Sequence, residues 1–301
     1  WHEWDSPFLS KVTLPEGAAL YPDYKKPNRS PEIFLNKRYF EADALISVPV
    51  LKNHYCTGIT GAIKNIGIGA TPANIYGRAP DTIWRGNGID HSGDMDYLHK
   101  WIHDFYLCRP IDFVVVDGLQ GLANGPTCYQ LPSYEPHRQN MRLILAGHDA
   151  VAVDSISSLI VGIDPARVGH LVHLAADRAG ENHPALIRIA GHPVHVVRRL
   201  LDVLAPGSDA RFFDVEAPSL SVSSAQLVGD ELHLSLTVSP DTVLVEVALD
   251  GKRLERAVVD AFDNITLDIG AIEGVAQEIT VYAYDRFLNR AEAMVIAGGD
   301  E

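Results

Sequence analysis

The first two thirds of the chain alternate apolar runs of strand length with segments of helical spacing. Residues 42–50, 111–119 and 141–149 are nearly continuous apolar runs, which are typical of strands buried in a parallel sheet. Residues 94–109 place apolar side chains at helical spacing, and 150–163 is an apolar stretch of helix length. This alternation predicts an α/β domain over residues 1–210, with a mostly parallel sheet and flanking helices.

Weaker patterns predict the remaining elements of this domain. Residues 1–42 are rich in Pro, Tyr and charge and are expected to form an extended approach segment. The other predicted elements are a turn leading into a helix at 57–67, loops at 69–93 and 120–140, helices at 164–180 and 195–207, and a strand at 185–191. Loops of this length are commonly functional.

After Pro218 the apolar positions alternate with polar ones at a period of two. Short runs are separated by turn sequences such as VGDE, SPD and LDGK, a pattern that predicts about seven strands and no helix. The sequence YDRFLN at 284–289 resembles a closing hairpin in which an Asp begins a tight turn. Residues 211–301 are therefore predicted to form a small β-sandwich of the immunoglobulin or fibronectin type, which could mediate assembly or homo-oligomer formation.

Charge divides the chain in the same way. The net charge is −14, and residues 212–301 hold 17 acidic against 5 basic side chains, whereas the first 211 residues are nearly balanced and contain 12 of the 13 histidines. The acidic tail disfavours nucleic acids and anionic membrane surfaces as partners. No apolar run approaches the ~20 residues that cross a bilayer, so membrane insertion is not expected.

The three cysteines exclude some cofactors. Cys56, Cys108 and Cys128 form no CxxC pair, so neither a cysteine zinc site nor an iron–sulfur cluster is expected. The chain also lacks the GxxxxGK[ST], GxGxxG and GxSxG motifs of nucleoside triphosphatases, dinucleotide-binding proteins and serine hydrolases.

The stretch VPVLKNHYCTGITGAIKNIGIGATP, residues 48–72, is unusually polar for a segment that follows an apolar strand. Lys52 and His54 alternate at the strand end and should share a face, and Lys64 and Asn65 follow in the predicted helix. Lysines together with free backbone amides at a strand-to-helix turn are suited to bind phosphate or carboxylate. The plainer alternative is a strand, turn and helix with two lysines that extend to solvent.

Acidic residues follow the other predicted strands. Asp117 and Asp149 lie at strand ends, where ligands of parallel α/β sheets bind, and Asp154 lies within an apolar helix, where an unpaired carboxylate is costly. An Asp in the position of Asp149 is also a common helix cap. We expect Asp117 and Asp149 to converge with Lys52, His54, Lys64 and Asn65 on one crevice.

Histidines suggest a separate metal site. His99 and His103 are spaced i,i+4 on one predicted helix, and His91 lies in the preceding loop, a spacing that suits zinc. The HExxH motif is absent. His170 and His173 form a second pair, which is more typical of a partly buried helix surface.

Four ordered motifs give the chain a resemblance. The segments VPVLKNHYCTGITGAIKN, RPIDFVVVDGLQGLANGP, LILAGHDAVAVDSISSLIVGIDP and HLVHLAADRAG together resemble the domain-of-unknown-function 362 family over about residues 35–195. The resemblance marks Lys52, His54, Thr60, Lys64, Asn65, Asp117, Gly118, Gly125, Pro126, Gly147, Asp149, Asp154 and Gly162. It implies an α/β domain but no particular reaction.

The departures from the family also carry expectations. Many relatives have a cysteine-rich ferredoxin-like segment that this chain lacks, and Ala150 stands where the family usually has Pro. Relatives have further β/α units before the first motif, which implies that a preceding part is cleaved away or supplied by another chain. Relatives often carry export signals, which favours an extracytoplasmic location.

These observations favour an enzyme-like site for a small anionic molecule. Lys52, Lys64 and Asn65 would bind the anion with Thr60 and the amide of Gly125, while His54, Asp117, Asp149 or Asp154 would move protons. A divalent metal held by His54 and the carboxylates is an open variant of this hypothesis. The alternatives are a non-catalytic ligand-binding protein and a structural subunit of a larger assembly.

Overall fold

The computed structural model describes a mixed α/β chain that divides into two compact units. The described residues are 8–14, 32–69, 71–72, 95–123, 125, 137–201, 213, 215–228, 231–249, 252–258, 264–268 and 277–299. The first unit comprises residues 1–183 and 197–212, and the second comprises 184–196 and 213–301. The domain boundary expected near residue 210 stays a prediction.

The first unit contains short strands and helices that follow the predicted order. They are β1 (Leu9–Thr13), β2 (Glu32–Asn36), α1 (Arg38–Glu41), β3 (Ile46–Ser47), β4 (Val50–His54), β5 (Gly58–Ile59), α2 (Gly61–Gly69), α3 (Met95–Cys108), β6 (Phe113–Leu122), β7 (Arg138–Gly147), α4 (Ala150–Val161) and α5 (Gly169–Ala176), with a 3-10 turn at Pro165–Arg167. None of the helices within the described ranges combines the length and apolar character that a membrane crossing requires.

The central sheet of this unit is mixed rather than mostly parallel. β3 and β4 pair with β6 in parallel, as expected from the intervening helical crossover. β5 pairs antiparallel with β4, and β7 pairs antiparallel with β6. The expectation of a mostly parallel sheet is therefore not confirmed, and the coarser α/β assignment stands.

Strand β7 differs most from its prediction. The run at 141–149 was expected to be buried, yet residues 138–147 alternate between exposed and partly buried positions, and Ile144 is 61% exposed. Its neighbour β6 buries one face, including Val114 and Val116. An apolar run indicates a strand, but which faces are covered depends on packing that the local sequence does not contain.

The helices lie against the buried face of the sheet. α2 packs against both α3 and α4, and all residues of α4 except Ala152 are buried. Trp101 and Phe105 of α3 join a core with Ile33 and Leu35 of β2. Residues 9–13 and 32–36 thus form an antiparallel pair within a segment that the sequence analysis treated as an extended approach.

The second unit is rich in β-strands. These are β8 (Leu220–Val228), β9 (Glu231–Val238), β10 (Thr242–Leu249), β11 (Lys252–Val258), β12 (Asn264–Asp268), β13 (Gln277–Asp285) and β14 (Arg290–Gly299), in the order β11-β10-β13-β14-β8-β9-β12. All neighbours pair antiparallel except β14 and β8. Side chains of β9 form one buried core with those of β10 and β13, although β9 is not adjacent to either strand. The sheet therefore packs upon itself as in a sandwich, while an immunoglobulin or fibronectin type stays a prediction.

The hairpin between β13 and β14 has the predicted turn. Asp285 accepts hydrogen bonds from the backbone N–H groups of Phe287 and Asn289, at 2.8 and 2.9 Å, and from the Asn289 amide at 2.7 Å. Leu288 occupies the left-handed region with φ 56°. The Asp thus holds the turn together by satisfying its backbone donors.

Three predicted elements within residues 164–207 are different in the structure. The apolar segment 185–191 is not a strand, because it begins with a 3-10 turn at Pro184–Leu186 and pairs with none of the strands in the described residues. Of the helix expected at 195–207, one turn appears as α6 (Val194–Val197), and residues 202–207 lie outside the described residues. The helix expected at 164–180 is divided into the 3-10 turn and α5.

Candidate functional site

The polar stretch after β4 folds back on itself within a few residues. β5 pairs antiparallel with β4, with Asn53 opposite Ile59 and His54 opposite Gly58. The N–H of Thr60 donates to the Lys52 carbonyl at 3.3 Å, and α2 begins at the next residue. This tight reversal returns the first turn of α2, which carries Lys64, to the end of β4.

His54 and Lys64 meet in the interior of this fold. Lys64 Nζ lies 3.0 Å from His54 Nε2. His54 is fully buried and Lys64 is 5% exposed. Lysine side chains are rarely this buried unless their charge is paired or removed, and here the contact is with another nitrogen base.

The backbone determines which nitrogen of His54 carries the proton. The N–H of Cys56 donates to His54 Nδ1 at 3.1 Å, so Nδ1 must be the acceptor nitrogen of a neutral imidazole. The proton is then on Nε2, which donates toward Lys64 Nζ. An ammonium group has no lone pair to accept this bond. The observed contact therefore corresponds to Lys64 as a neutral amine.

The electrostatic surroundings shift the protonation equilibrium of Lys64 toward this neutral form. Burial lowers the pKa of Lys64 to about 8, negative charge on the nearby Cys56 sulfur would oppose this shift, and the charge of Lys52 adds to it. Burial also lowers the pKa of Lys52, which is half-buried. Two lysines thus lie close enough to repel each other's charge, and the more buried one loses its proton more readily.

Asp154 anchors the first turn of α2 from the neighbouring helix. Its carboxylate accepts the N–H groups of Ala62 at 2.7 Å and Ile63 at 3.0 Å. Burial raises its pKa to about 7, although both backbone hydrogen bonds oppose this shift. Gly61, with φ +57°, leaves room for the carboxylate, because a Cβ there would lie 2.3 Å from Asp154 Oδ2. Asp154 therefore caps α2 rather than facing a crevice.

Asp117 and Asp149 are likewise hydrogen-bonded to the backbone. Asp117 is exposed and accepts the Leu119 N–H at 3.0 Å. Asp149 caps α4 by accepting the Ala152 N–H at 3.0 Å, and its second oxygen accepts the Glu181 N–H at 2.9 Å. The predicted convergence thus brings His54 and Lys64 into contact, with Lys52 nearby, while these carboxylates serve turns and helix ends.

The remaining predicted ligand-binding residues lie around the same turn. Thr60 is 7% exposed, and its hydroxyl finds no hydrogen-bond partner among the described residues. Asn65 is exposed on α2 and its amide points to the Ser47 hydroxyl at 3.5 Å. Gly125 N–H donates to Asn53 Oδ1 at 3.1 Å, and a Cβ at Gly125 would lie 2.3 Å from the Asn53 carbonyl oxygen. Only glycine allows this loop to approach β4 so closely.

The histidines expected to bind a metal have other partners. His103 directs Nδ1 to Asp104 at 2.7 Å and Nε2 to Asp177 at 2.9 Å, so both ring nitrogens face carboxylate oxygens. His91 lies outside the described residues. Within the described ranges, no three His, Cys, Asp or Glu side chains come together as a metal site would require.

His99 pairs with a histidine that sequence analysis assigned to a helix surface. The two Nδ1 atoms of His99 and His170 lie 2.9 Å apart, and their rings are stacked. The His170 backbone N–H also donates to His99 Nδ1 at 3.2 Å, so the His170 ring supplies the proton between the two Nδ1 atoms. Burial lowers the pKa of His99 to about 4 and that of His170 well below its usual value.

Sequence reasoning missed the partners of both α3 histidines. His170 and Asp177 were not considered with His99 and His103, because these contacts depend on how α5 packs against α3, whereas Asp104 is the next residue of α3 itself. The available signal was a pair of histidines on each segment, and the two pairs face each other in the structure, with the His99 ring stacked on His170 and the His103 ring edge-on to His173.

The comparisons with known proteins bear on the first unit. A family model described as a domain of unknown function (DUF362) matches residues 16–158. A search among curated proteins gives no match.

Several solved structures show weak likenesses to parts of the chain. The spore cortex lytic enzyme SleM of Clostridium perfringens is 17% identical over 27% of this chain and 28% of its own, with a TM-score of 0.23. The fibronectin(III)-like modules of Clostridium thermocellum CbhA are 15% identical over 27% of this chain and 94% of theirs, at 0.23. The superoxide reductase (neelaredoxin) of Ignicoccus hospitalis is 13% identical over 28% of this chain and 81% of its own, at 0.21. At such TM-scores the likenesses establish neither a shared fold nor a shared function.

The family match includes the site but not the whole chain. It covers the β4–α2 turn with Lys52, His54 and Lys64, and it extends into α4 as far as Asp154. Over residues 16–158 the chain therefore matches the domain of unknown function (DUF362) that its ordered motifs resemble.

Proposed function

We propose that the β4–α2 turn is an enzyme-like site that binds a small molecule through a phosphate or carboxylate group. In this site Lys52 attracts the anion, and His54 and Lys64 exchange protons with the bound molecule. The observation that carries the proposal is the 3.0 Å contact between two buried bases. A protein gains little stability from such a contact, because each base would be better satisfied by a carboxylate.

The contact also suits proton transfer. A general base works best when its pKa lies near the working pH, and burial brings the pKa of Lys64 to about 8. Strongly shifted groups with identified causes mark candidate functional sites. The three carboxylates predicted to hold a metal, those of Asp117, Asp149 and Asp154, accept hydrogen bonds from backbone N–H groups. We therefore favour the form of the hypothesis that does not involve a metal.

The alternative is a non-catalytic protein whose family motifs serve the fold. Asp149 and Asp154 cap helices, which favours a purely structural role for those two residues. It does not account for Lys64, whose burial beside His54 costs desolvation.

Anion binding provides the direct test. Inorganic phosphate and a panel of small carboxylates would be titrated into the protein by calorimetry, together with Lys64→Met and the exposed control Lys37→Met. We expect at least one anion to bind, with a roughly tenfold or greater loss for Lys64→Met, equal to about 1.4 kcal/mol, and no change for Lys37→Met. If no anion binds, or if Lys64→Met binds as the unaltered protein does, the proposal is wrong.

A further inference from the structure

We infer that Lys64 is a nucleophile that condenses with a carbonyl compound carrying a carboxylate or phosphate group. The inference rests on the proposed function, because it names the class of molecule that the same site would take. It rests further on the direction of the hydrogen bond between His54 and Lys64.

The geometry presents the amine in its reactive form. The Cys56 N–H fixes Nδ1 of His54 as an acceptor at 3.1 Å, so the Nε2–H must point to Lys64 Nζ at 3.0 Å. An amine that accepts a hydrogen bond holds a lone pair, and the lone pair is what attacks a carbonyl carbon. Most lysines are ammonium ions at neutral pH and lack it.

The surroundings of Lys64 have two features that generally activate lysine as a nucleophile: removal from water and a neighbouring positive charge. Lysine forms Schiff bases with carbonyl substrates when it is desolvated or lies next to another cation. Lys64 meets both conditions, since it is 5% exposed and the charge of Lys52 lowers its pKa further. Negative charge on the nearby Cys56 sulfur acts in the opposite direction, more strongly than the charge of Lys52 but more weakly than burial, so burial is the main cause of the lowered pKa.

The chemical step balances without any further reactant. The Lys64 nitrogen forms a bond to the carbonyl carbon while the π bond to oxygen breaks, which gives a carbinolamine. The oxygen then leaves as water and carries away the two hydrogens of the amine, so the product is a neutral imine. Uptake of one proton from solvent converts it to the iminium ion, in which the former carbonyl carbon is electron-poor.

Lys52 defines the substrate class. Its half-buried ammonium lies close enough to influence Lys64, so an anionic group on the substrate would be held beside the carbon that the amine attacks. A 2-oxo acid or a phosphorylated aldehyde or ketone combines both groups in a small molecule. His54, whose Nε2–H points at the reacting nitrogen, is placed to donate a hydrogen bond as the carbonyl oxygen departs.

Reductive trapping tests this inference on the intact chain. The protein would be incubated at pH 8 with pyruvate, 2-oxoglutarate or dihydroxyacetone phosphate and sodium cyanoborohydride, which reduces an imine to a stable secondary amine. Intact mass and peptide mapping then locate the adduct, whose added mass is that of the ligand less one oxygen atom. We expect labelling at Lys64 at least ten times that at the exposed Lys37, and less labelling for Lys52→Gln.

The outcomes separate this inference from the proposed function. Lactate, which has no carbonyl, serves as the matched anion in a binding titration. If lactate or phosphate binds but no carbonyl compound labels Lys64, the nucleophile is wrong and anion binding stands. If neither binding nor labelling occurs, both are wrong. Labelling of Lys64 no greater than that of Lys37 also overturns the inference, and peptide mapping of the unaltered protein gives this result even if Lys64 variants do not fold.

Discussion

Nitrogen bases are buried at several places in the described part of the first unit, and two of these places use them differently. In one, His54 contacts Lys64 at 3.0 Å. In the other, His103 lies between Asp104 and Asp177, at 2.7 and 2.9 Å. We call the first the His54–Lys64 pair and the second the His103 cluster. Both His side chains are at most 1% exposed.

The difference lies in the partners. In the His103 cluster each ring nitrogen faces a carboxylate oxygen, one on α3 and one at the C-terminal end of α5, so the contacts join these two helices. In the His54–Lys64 pair a base faces a base, so one of them must keep a lone pair. The comparison teaches that a buried base indicates function only when its partner leaves it with a lone pair that can react.

The largest expected effect comes from the His103 cluster. His103→Ala would leave the fully buried Asp104 without its imidazole partner, and removing one member of a buried charge pair costs about 3–5 kcal/mol. Urea denaturation measures the loss. His173→Ala, at a 3.4 Å contact with the exposed Asp96, is the matched control and should cost less than about 1 kcal/mol. Equal losses in the two variants would show that the cluster is not structural.

Acid should destabilise the protein through His99. Its pKa falls from an ordinary 6.5 to about 4 in the folded chain, so above pH 6.5 the ring is neutral in both the folded and the unfolded state. As the pH falls from 6.5 toward 4, the unfolded state takes up the proton first, and the free energy of unfolding decreases by about 3 kcal/mol. His170 acts in the same direction. Urea midpoints across this window should show a smaller decrease in His99→Gln, and a pH-independent midpoint would contradict the assignment.

Asp154 supports the His54–Lys64 pair by holding the first turn of α2. Asp154→Asn keeps the shape of the side chain but places an amide NH₂ next to one of the two backbone N–H groups, so that one hydrogen bond is lost. The free energy of unfolding should fall by about 1–3 kcal/mol. If α2 positions Lys64, anion affinity should fall together with stability. Asp149→Asn removes a comparable cap at the start of α4 and should lower stability with less effect on affinity. If Asp149→Asn weakens anion binding more than Asp154→Asn does, the positioning role is wrong.

Lys52 should give the smallest effect and the clearest link between the two lysines. Lys52→Gln removes the charge that lowers the pKa of Lys64, so that pKa should rise. Anion affinity should weaken about three- to tenfold, because one half-buried charge is lost. The pKa of Lys64 in this variant is measured by NMR of the labelled side chain. If it is unchanged, the charge of Lys52 does not act on Lys64.

Local patterns predicted the helices more reliably than the sheet. The spacing of apolar residues in 94–109 predicted α3, and the apolar stretch at 150–163 predicted α4. β7 was misjudged because its burial depends on what covers each face. The segment 185–191 has a strand-like composition but pairs with no strand among those that the structure describes. Strand pairing and the burial of each strand face depend on tertiary contacts, whereas helical periodicity is determined by residues close together in the sequence.

The site was predictable in its location and less so in its chemistry. The crowding of Lys52, His54 and Lys64 after one strand indicated the place. The roles of Asp149 and Asp154 as helix caps and the engagement of His103 by two carboxylates required the packing of separate helices. The tautomer of His54 follows from the Cys56 backbone N–H, which residue types alone do not specify.

The titration of Lys64 tests the central claim most directly. Lysine labelled with ¹³C at Cε would be followed by NMR from pH 6 to 11, with Lys64→Met used to assign the Lys64 signal. The account predicts a midpoint near 8 for Lys64, well below that of exposed lysines such as Lys37. A midpoint near 8 leaves about half of Lys64 as the neutral amine at pH 8, whereas a midpoint near the ordinary value of 10.5 would leave it almost entirely an ammonium ion there and would contradict the account.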